Sequence, residues 1–599
     1  MLWLWPWPLL LLGYLFKVAG AAALPPRHPN FLDDHDEQRN ANHDEQRNAN
    51  HIFNAIHSSM RQWGSSLNHN GMSLFLAQVP AGTQFYHGTG LSQPVQGMEW
   101  LAFEPEHAIN FARGHKAPGK KAPNKAPGKK PPNKAPLEGM ADRPLDSIGG
   151  YEYEDPPPSS SASNVQNMLG PFPYSPDQNP VMAHVGRGRP RTRPLPERSG
   201  WLHTYRTKSQ LPLLYIDGMS AGKCDKGTLD TQDILLLNVT NESDGQFWER
   251  ERAQRLCQMA TETWNGKIKG FIRMEAGFEV ILCSFADNLD FLQAVRAGPF
   301  AAGDEVPDPD PDTDDKSLRW RPSDWIRAIA ARYDGIGGGR VTLNYDSFVT
   351  AYNYDLDLFT QDDGLPRLTD AAAAVLDKIR GDVDGMVNRW DPSLTPMPAM
   401  STDWQSIADM VVARYAKRLK YLTSGALTTS QELSAELGTF LRVFIDSDAR
   451  NTTAEVDRCA SQFIPAHVES PSVAVAVAVA VAARAIRSVT ATICSSLFAA
   501  LDSDSPFSDS MTNLRSLVEY LAWTGWERCP ECPLDQVCFI PMWPFGAVED
   551  RQSPQCRNAT ELNGRSGYWG NFGPGHGRHG PGPAHHGKYL DGDRDGPGE

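Results

Sequence analysis

Residues 270–283, GFIRMEAGFEVILC, decide the fold because they place two acidic side chains beside a strongly apolar run. The run FEVILCSF, 278–285, is rich in aromatic and aliphatic residues and predicts a strand. Glu279 opens this strand, and Glu275 precedes Glu279 by four residues. A carboxylate at a strand end beside a cleft can stabilise a developing cation or bind a sugar hydroxyl. Glu275 and Glu279 are therefore candidate catalytic residues, and the choice between them stays open.

Working outward from this stretch, short β-like runs alternate with helical patterns in residues 52–115 and 200–300. The other predicted strands are 83–89, 100–103, 202–207, 211–218 and 233–239, and the predicted helices are 104–112 and 246–264. Residues 320–562 show mainly three- and four-residue apolar spacing, which predicts a helical domain. Its predicted helices are 323–332, 369–388, 403–422, 430–446, 480–501 and 511–523. The expected class is α+β, with a small interrupted mixed-sheet domain followed by a mainly helical, cysteine-bearing domain.

Two earlier segments place polar side chains beside predicted strands. In FYHGT, 85–89, a strand ends in His87-Gly88, and glycine lets another group approach the backbone closely. In WLAFEPEHAINFA, 100–112, a strand leads into a helix with proline near its first turn and acids at the positive end of its dipole. The aromatic residues of this second segment are expected mainly to pack.

The order of these segments resembles the ADP-ribosyltransferase fold, in particular the diphtheria-toxin and poly(ADP-ribose) polymerase branch with its His-Tyr-Glu arrangement. In that family a strand with His-Gly-Thr/Ser comes first, an aromatic strand and an alanine-containing helix follow, and a later strand bears glutamate. HGT, WLAFEPEHAINFA and EAGFEVILC occur here in that order, over about 130 residues of the chain.

The resemblance implies NAD as a substrate. His87 would contact one ribose, Gly88 the nicotinamide amide, and Glu279 or Glu275 the other ribose as the C–N bond breaks, with Thr89 completing the HGT segment. The family's stacking tyrosine falls near Trp100 or Leu101. Nicotinamide leaves as an oxocarbenium-like sugar forms, so a preorganised carboxylate has a charge to stabilise in the transition state.

Composition limits the remaining function classes. The 599 residues exceed what one hydrophobic core normally serves, so several domains are expected. With 57 basic and 72 acidic residues the net charge is −15, which disfavours nucleic acid as a partner. The 50 glycines and 47 prolines are above average usage and predict that part of the chain is disordered.

The chain carries signs of export. Residues 1–23 are apolar and end in small residues, which predicts a secretory signal peptide, and Lys17 and two prolines argue against stable membrane insertion. Asn-x-Ser/Thr sequons occur at Asn238, Asn241, Asn451 and Asn558. The nine cysteines predict a disulfide set with one left over and no deducible pairing. Four of them, at 529, 532, 538 and 556, could alternatively hold zinc, but an oxidising compartment favours disulfides, so no metal is expected.

Low-complexity segments separate these blocks. Residues 24–51 contain two copies of HDEQRNAN, 116–199 form a Lys/Pro/Ser-rich insertion, 301–319 an acidic linker, and 563–599 a Gly/Pro/His tail. None has the composition of a core, so all four are predicted to be disordered. The motif GMSAGKC, 218–224, resembles a phosphate loop, but it has one residue too few and cysteine in place of Ser/Thr, which argues against a nucleotide site.

These observations leave two main hypotheses. One is a secreted glycoprotein with ADP-ribosyltransferase or NAD-glycohydrolase activity, acting on NAD alone or with a protein acceptor. The other is a non-catalytic extracellular interaction protein built on a degenerate scaffold. A glycosidase using Glu275 and Glu279 is a third reading, since the 16 tryptophans offer stacking surfaces for sugars. The oligomeric state does not follow from the sequence.

Overall fold

The computed structural model describes residues 48–112, 200–239, 249–297, 322–361, 363–391, 402–465, 476–502, 506–562 and 564–570. The predicted signal peptide, most of the 24–51 repeats, the 116–199 insertion, the 301–319 linker and most of the tail lie outside these ranges. All the described residues belong to one compact unit.

A nine-stranded mixed sheet forms the centre of this unit, and a two-stranded ribbon lies near the C-terminus. The strands are β1 Asn70–Val79, β2 Gln84–Thr89, β3 Glu99–Ala102, β4 Trp201–Thr207, β5 Leu211–Gly218, β6 Gly270–Glu275, β7 Gly277–Leu282, β8 Leu289–Arg296, β9 Thr342–Thr350, β10 Gln536–Phe539 and β11 Gln555–Asn558. The sheet order is β8-β4-β2-β3-β7-β6-β5-β1-β9, and among the described strands only β5 and β6 pair in parallel.

Helices cover the sheet and make up more than half of the described residues after β9. They are α1 Ala49–Ser58, α2 Gln62–Leu67, α3 Pro105–Ile109, α4 Glu249–Glu262, α5 Phe285–Asn288, α6 Pro322–Ala330, α7 Ala373–Arg389, α8 Trp404–Thr423, α9 Ser430–Leu441, α10 Thr452–Ser461, α11 Ala476–Leu501, α12 Phe507–Leu521 and α13 Val548–Gln552. Local sequence fixes several helix starts. At α9, for example, Thr429 and Glu432 form a reciprocal capping box.

The two sequence blocks are not separate domains in the structure. Strand β9, from the block predicted to be helical, pairs with β1 and completes the sheet. Helix α1 packs against α8 and α11, so one hydrophobic core runs through both blocks. The predicted class of α+β with a helical C-terminal region is confirmed, whereas the boundary at 301–319 does not divide the core.

Three local predictions are wrong. The run 233–239 was expected to be a strand, but Thr231–Leu236 form a single π-helical turn. Short apolar runs do not distinguish strand from helix by periodicity alone. The repeat region ends before residue 51, because Ala49 begins α1 and is buried. The tail begins later than 563, because Trp569 is buried and donates a hydrogen bond to the Phe545 carbonyl.

Eight of the nine cysteines lie at disulfide distance, which confirms the prediction of a disulfide set with one left over. The pairs are Cys257–Cys283, Cys459–Cys494, Cys529–Cys538 and Cys532–Cys556, and Cys224 is the free residue. The four cysteines considered for zinc are therefore joined in two disulfides, and their sulfurs are not available as thiolate ligands.

The residues that flank the 116–199 insertion meet at one end of the sheet. The Gly200 amide donates to the Ala112 carbonyl at 3.0 Å, and the Ala297 amide donates to the Gly200 carbonyl at 3.0 Å. Strand β4 therefore starts beside the point where the chain leaves α3. No helix among the described residues is both long enough and apolar enough to cross a membrane.

Candidate functional site

The hairpin of β6 and β7 carries the acidic residues that the sequence singled out. Gly277 forms its turn with φ +106°, a backbone conformation that favours glycine. Across the hairpin Arg273 lies directly opposite Glu279, and Glu275 lies opposite Gly277. Since side chains alternate along a strand, Arg273, Glu275 and Glu279 project from the same face of the sheet.

Eight ionisable residues gather on this face, and we call them the charged centre. They are Glu104, His107, Lys223, Glu249, Arg273, Glu275, Glu279 and Arg332. The first two open α3, Lys223 follows β5, Glu249 starts α4 and Arg332 follows α6. With His107 protonated, four positive groups balance four carboxylates, which is how a buried cluster avoids a large uncompensated charge.

Arg273 is the most deeply buried member of the charged centre, with none of its surface exposed. Its Nη1 donates to Gln232 Oε1 at 2.7 Å, and its Nη2 contacts both Glu249 and Glu279. Burial opposes the charge of the guanidinium, but these two carboxylates outweigh burial and raise the pKa of Arg273. Burial raises the pKa of Glu279 even though Arg273 lowers it. The buried Arg273 guanidinium therefore holds the Glu279 carboxylate in place.

Glu275 joins two cations on the other side of the centre. Its Oε1 meets His107 Nε2 at 3.2 Å, and its Oε2 meets Lys223 Nζ at 3.2 Å. Burial alone would raise the pKa of Glu275, but the charge of Lys223 and the hydrogen bond with His107 outweigh it and lower that pKa to about 2. Glu275 is therefore a carboxylate at neutral pH, so it is unsuited to act as a general acid.

His107 is clamped between aromatic and acidic groups. Its ring stacks on Trp325 with centroids 4.8 Å apart and 24° between the planes. Burial lowers the pKa of His107, but the hydrogen bond and charge of Glu275 outweigh burial and raise it. The buried atoms His107 Nδ1 and Glu104 Oε2 have no hydrogen-bond partner among the described residues. Both lie close to the Cα of Gly277, since a Cβ built there would be 3.0 and 3.6 Å from them.

Solvent reaches the charged centre at Lys223 and Glu249 and also at Arg332, which pairs with Glu104 and whose side chain is 26% exposed. The side chains of Lys223 and Glu249 are 25% and 26% exposed, whereas those of His107, Glu275 and Glu279 are 9% exposed or less. The Lys223 ammonium also lies 4.8 Å from the centre of the Trp543 ring. A ligand that approaches from the Lys223 side would therefore meet Lys223 and Glu249 before Glu275 and Glu279.

A metal ion would compete with these cations. His107, Glu275 and Glu279 offer three ligand atoms within 4.8 Å of one another. However, the Lys223 ammonium and the Arg273 guanidinium already contact the two carboxylates. A divalent cation would have to displace or approach these like charges, so the residues present do not favour a metal centre.

His87 does not join the charged centre. Its neighbour Tyr86 pairs with Ala102, and Ala102 pairs with Glu279. Tyr86 and Glu279 therefore share a face of the sheet, and strand alternation directs His87 to the opposite face. There its Nδ1 lies 2.7 Å from the Trp100 carbonyl, and its ring packs against Phe285. Burial lowers its pKa.

The predicted cofactor-binding residues are also spread over the sheet. Gly88 pairs with Leu202 of β4, and the end of α3 covers it so closely that an added Cβ would lie 2.0 Å from the Ala108 carbonyl oxygen. Thr89 ends β2 opposite Trp201. Trp100 pairs with Ile281, which places its side chain on the same face as Glu279. The sheet thus groups Trp100 with Glu275 and Glu279 and separates them from His87 and Thr89.

Comparisons with known proteins identify relatives without a stated activity. A family model described as the YPL277C N-terminal domain matches residues 39–311. The chain is 25% identical to the uncharacterized protein YOR389W of Saccharomyces cerevisiae over 572 residues, covering 83% of this chain and 82% of the yeast protein. It is 30% identical to the uncharacterized protein YPL277C of the same yeast over 257 residues, covering 41% of this chain and 42% of that protein. No solved structure matches.

Sequence reasoning missed His107, Lys223 and Arg273. His107 stands in the quoted segment 100–112, whose proline-led helix start could have marked it as a residue held near the strand ends. Arg273 and Glu275 are charged residues on an otherwise apolar strand, which signals that each is buried with an opposite charge from another element. Lys223 had no local signal beyond the incomplete phosphate-loop motif, because its partners come from α4 and β6.

Proposed function

We propose that this chain is a secreted, disulfide-stabilised glycoprotein that acts by binding a partner and not by turning over NAD. One observation carries the proposal: the register of β2, β3 and β7 directs His87 and Glu279 to opposite faces of the sheet. Transfer chemistry on NAD needs both groups within a few ångströms of the same nicotinamide ribose. A protein that uses the same fold only for binding does not need His87 and Glu279 to meet.

The contacts of the two groups support the same conclusion. The charge of Glu279 is matched by the buried Arg273, so little of it remains to stabilise an oxocarbenium ion. The imidazole of His87 is occupied by the Trp100 carbonyl and surrounded by aromatic rings. Helix α3 covers the Gly88 backbone that would meet nicotinamide.

Export is supported by the covalent chemistry of the chain. Four disulfides persist in oxidising compartments and are rare in reducing ones. Two sequon asparagines, Asn238 and Asn451, are exposed, as glycan attachment requires. Expression in a yeast secretion host should give protein in the medium whose mass falls on treatment with peptide N-glycosidase.

Binding and catalysis are distinguished by measuring the release of nicotinamide from labelled NAD by the purified, disulfide-intact chain. We expect no release above the protein-free rate from wild type, His87→Ala or Glu279→Gln. Release of nicotinamide by folded wild type that disappears in both variants would overturn the proposal. It would support the hypothesis of an ADP-ribosyltransferase or NAD glycohydrolase.

A second candidate function is NAD chemistry within the charged centre, with His107 in place of His87. The specific observation in its favour is that His107, Glu275 and Glu279 bring three polar atoms within 4.8 Å of one another on a side that solvent reaches through Lys223. The same assay separates the two candidates. Release that survives His87→Ala but is lost in His107→Gln and Glu275→Gln would favour this second function.

A further inference from the structure

A groove distant in sequence from the charged centre opens between the end of β9 and helix α7. Its volume is about 320 Å³, and it is lined by Asn353, Tyr354, Asp355, Val375, Lys378 and Asp382. The first three follow β9 at a short 3-10 turn, Ala351–Asn353. The last three are spaced by three and four residues along α7, so they share one face of that helix. Two rigid elements therefore hold the lining residues in place.

The polar groups of the groove are oriented by contacts within it. The Tyr354 hydroxyl donates to Asp382 Oδ2 at 2.8 Å, which fixes one carboxylate. The Lys378 ammonium lies 5.6 Å from the centre of the Tyr354 ring. Burial and the neighbouring Asp382 both raise the pKa of Tyr354, so its hydroxyl stays neutral and remains a donor at physiological pH.

The charges of the groove select the ligand class. The carboxylate of Asp382 accepts hydrogen bonds, whereas the ammonium of Lys378 donates them. An anionic ligand would be repelled by this carboxylate, and a cationic ligand would meet the ammonium of Lys378. A neutral polyol satisfies both groups, because each hydroxyl donates and accepts. Val375 and the Tyr354 ring add apolar surface for the C–H face of a sugar ring.

We propose that this groove binds a neutral sugar through its hydroxyl groups. Its volume lies at the small end of ligand pockets, which suits a ligand of one or two rings. The inference rests on the proposed binding function and deepens it, since it assigns a ligand class to a protein that acts by binding. It does not involve the residues of the charged centre.

Saturation-transfer NMR on the full, deglycosylated chain tests the proposal with mannose, glucose, galactose and N-acetylglucosamine as separate probes. At least one sugar should give ring-proton signals from wild type. Asp382→Asn should weaken its binding about tenfold, because a hydrogen bond to a charged acceptor is weakened to one with a neutral amide. The matched control is Asp377→Asn on the same helix, which pairs with Arg380 and does not line the groove, and it should bind as wild type does.

A Tyr354→Phe variant and a nicotinamide-release assay distinguish the possible outcomes. Tyr354→Phe removes only the hydroxyl that orients Asp382 and should weaken binding less than Asp382→Asn does. The proposal is overturned if no neutral sugar gives a signal from folded protein, if Asp382→Asn binds as tightly as wild type, or if only a polyamine probe binds. Nicotinamide release by the same preparation would instead overturn the proposed function, so failure of the groove and failure of the function are read separately.

Discussion

The two faces of the central sheet place histidines in opposite environments. On the charged face, which carries Arg273, Glu275 and Glu279, His107 lies against a carboxylate and its pKa is raised. On the aromatic face, which carries His87 and Tyr205, the His87 ring packs against Phe285 and its pKa is lowered. Both histidines are buried. The difference shows that the elements packed on each face set the chemistry of a side chain, whatever motif surrounds it in sequence.

On the charged face the buried side chains are held by ion pairs. On the aromatic face they are held mainly by apolar packing. A buried ion pair adds little over an apolar replacement of both partners, but it is costly to break by removing one partner. On the aromatic face the acid that acts on His87 is Glu99, which pairs with the largely exposed Arg250 and not with a buried cation. Substitutions should therefore have different magnitudes and different pH dependences on the two faces.

Arg273→Met is expected to have the largest effect. It leaves Glu249 and Glu279 without their buried cation, so the free energy of unfolding should fall by about 3–5 kcal/mol. Urea denaturation followed by fluorescence measures the change. The control is Arg206→Ala on β4, whose pair with Asp290 is about half exposed and should contribute at most about 1 kcal/mol. Equal losses from both variants would contradict the distinction between buried and exposed pairs.

Glu275→Gln should destabilise the fold in a pH-dependent way. The pKa of Glu275 falls from 4.5 to about 2 on folding, which corresponds to about 3 kcal/mol. This stabilisation is fully present above pH 4.5 and is lost as the pH falls toward 2. The difference in unfolding free energy between wild type and variant should therefore be largest at pH 7 and should shrink between pH 4.5 and pH 3. A difference that does not change with pH would show that Glu275 contributes by shape alone.

Gly88→Ala tests how closely α3 packs on the sheet. The new Cβ would lie 2.0 Å from the Ala108 carbonyl oxygen, so α3 must shift and the loss should be about 1–3 kcal/mol. Gly97→Ala is the matched control because nothing lies within 4 Å of its added Cβ, and it should change stability by less than about 0.5 kcal/mol. Thermal denaturation compares the two. A stable Gly88→Ala protein would mean that the space above Gly88 is open to a ligand.

The smallest effect is the titration of the two histidines. In an NMR pH titration the His107 ring should titrate above 6.5 and the His87 ring below 6.5. The charge on His107 accordingly stabilises the fold below pH 6.5 and is lost as the pH rises through its higher folded pKa. Neutral His87 stabilises the fold above pH 6.5, and this is lost as the pH falls through its lower folded pKa. Assignment uses His107→Gln and His87→Gln, and a reversed order would contradict the contrast between the faces.

Much of the secondary structure follows from local patterns. The strands around Phe85, Leu101, Tyr205 and Leu214 and most helices after residue 320 lie where apolar periodicity predicts them. Strand β1 escaped prediction because every residue in it is buried, so it shows no alternation. Strand β9 escaped because it follows a helical pattern and pairs with β1, more than 260 positions earlier in the chain.

The candidate site was only partly predictable. Glu275 and Glu279 stand out as acids beside an apolar strand, and the structure does bring them together. Their histidine could not be chosen from sequence, because the choice between His87 and His107 depends on the register of three strands. Lys223 and Arg332 reach the site from loops whose paths depend on the packing of the whole sheet.

The hydrogen bond between Gly200 and Ala112 affects how readily residues can be inserted between these two positions. Ala112 and Gly200 lie side by side, and for any flexible connection between two such points doubling its length adds only about 0.6 kcal/mol of loop-closure cost. We therefore expect that a further copy of a short unit such as KAPGKK, which occurs twice there, would change stability little at this junction. The same junction is where a foreign peptide could be grafted for display at the least cost to folding.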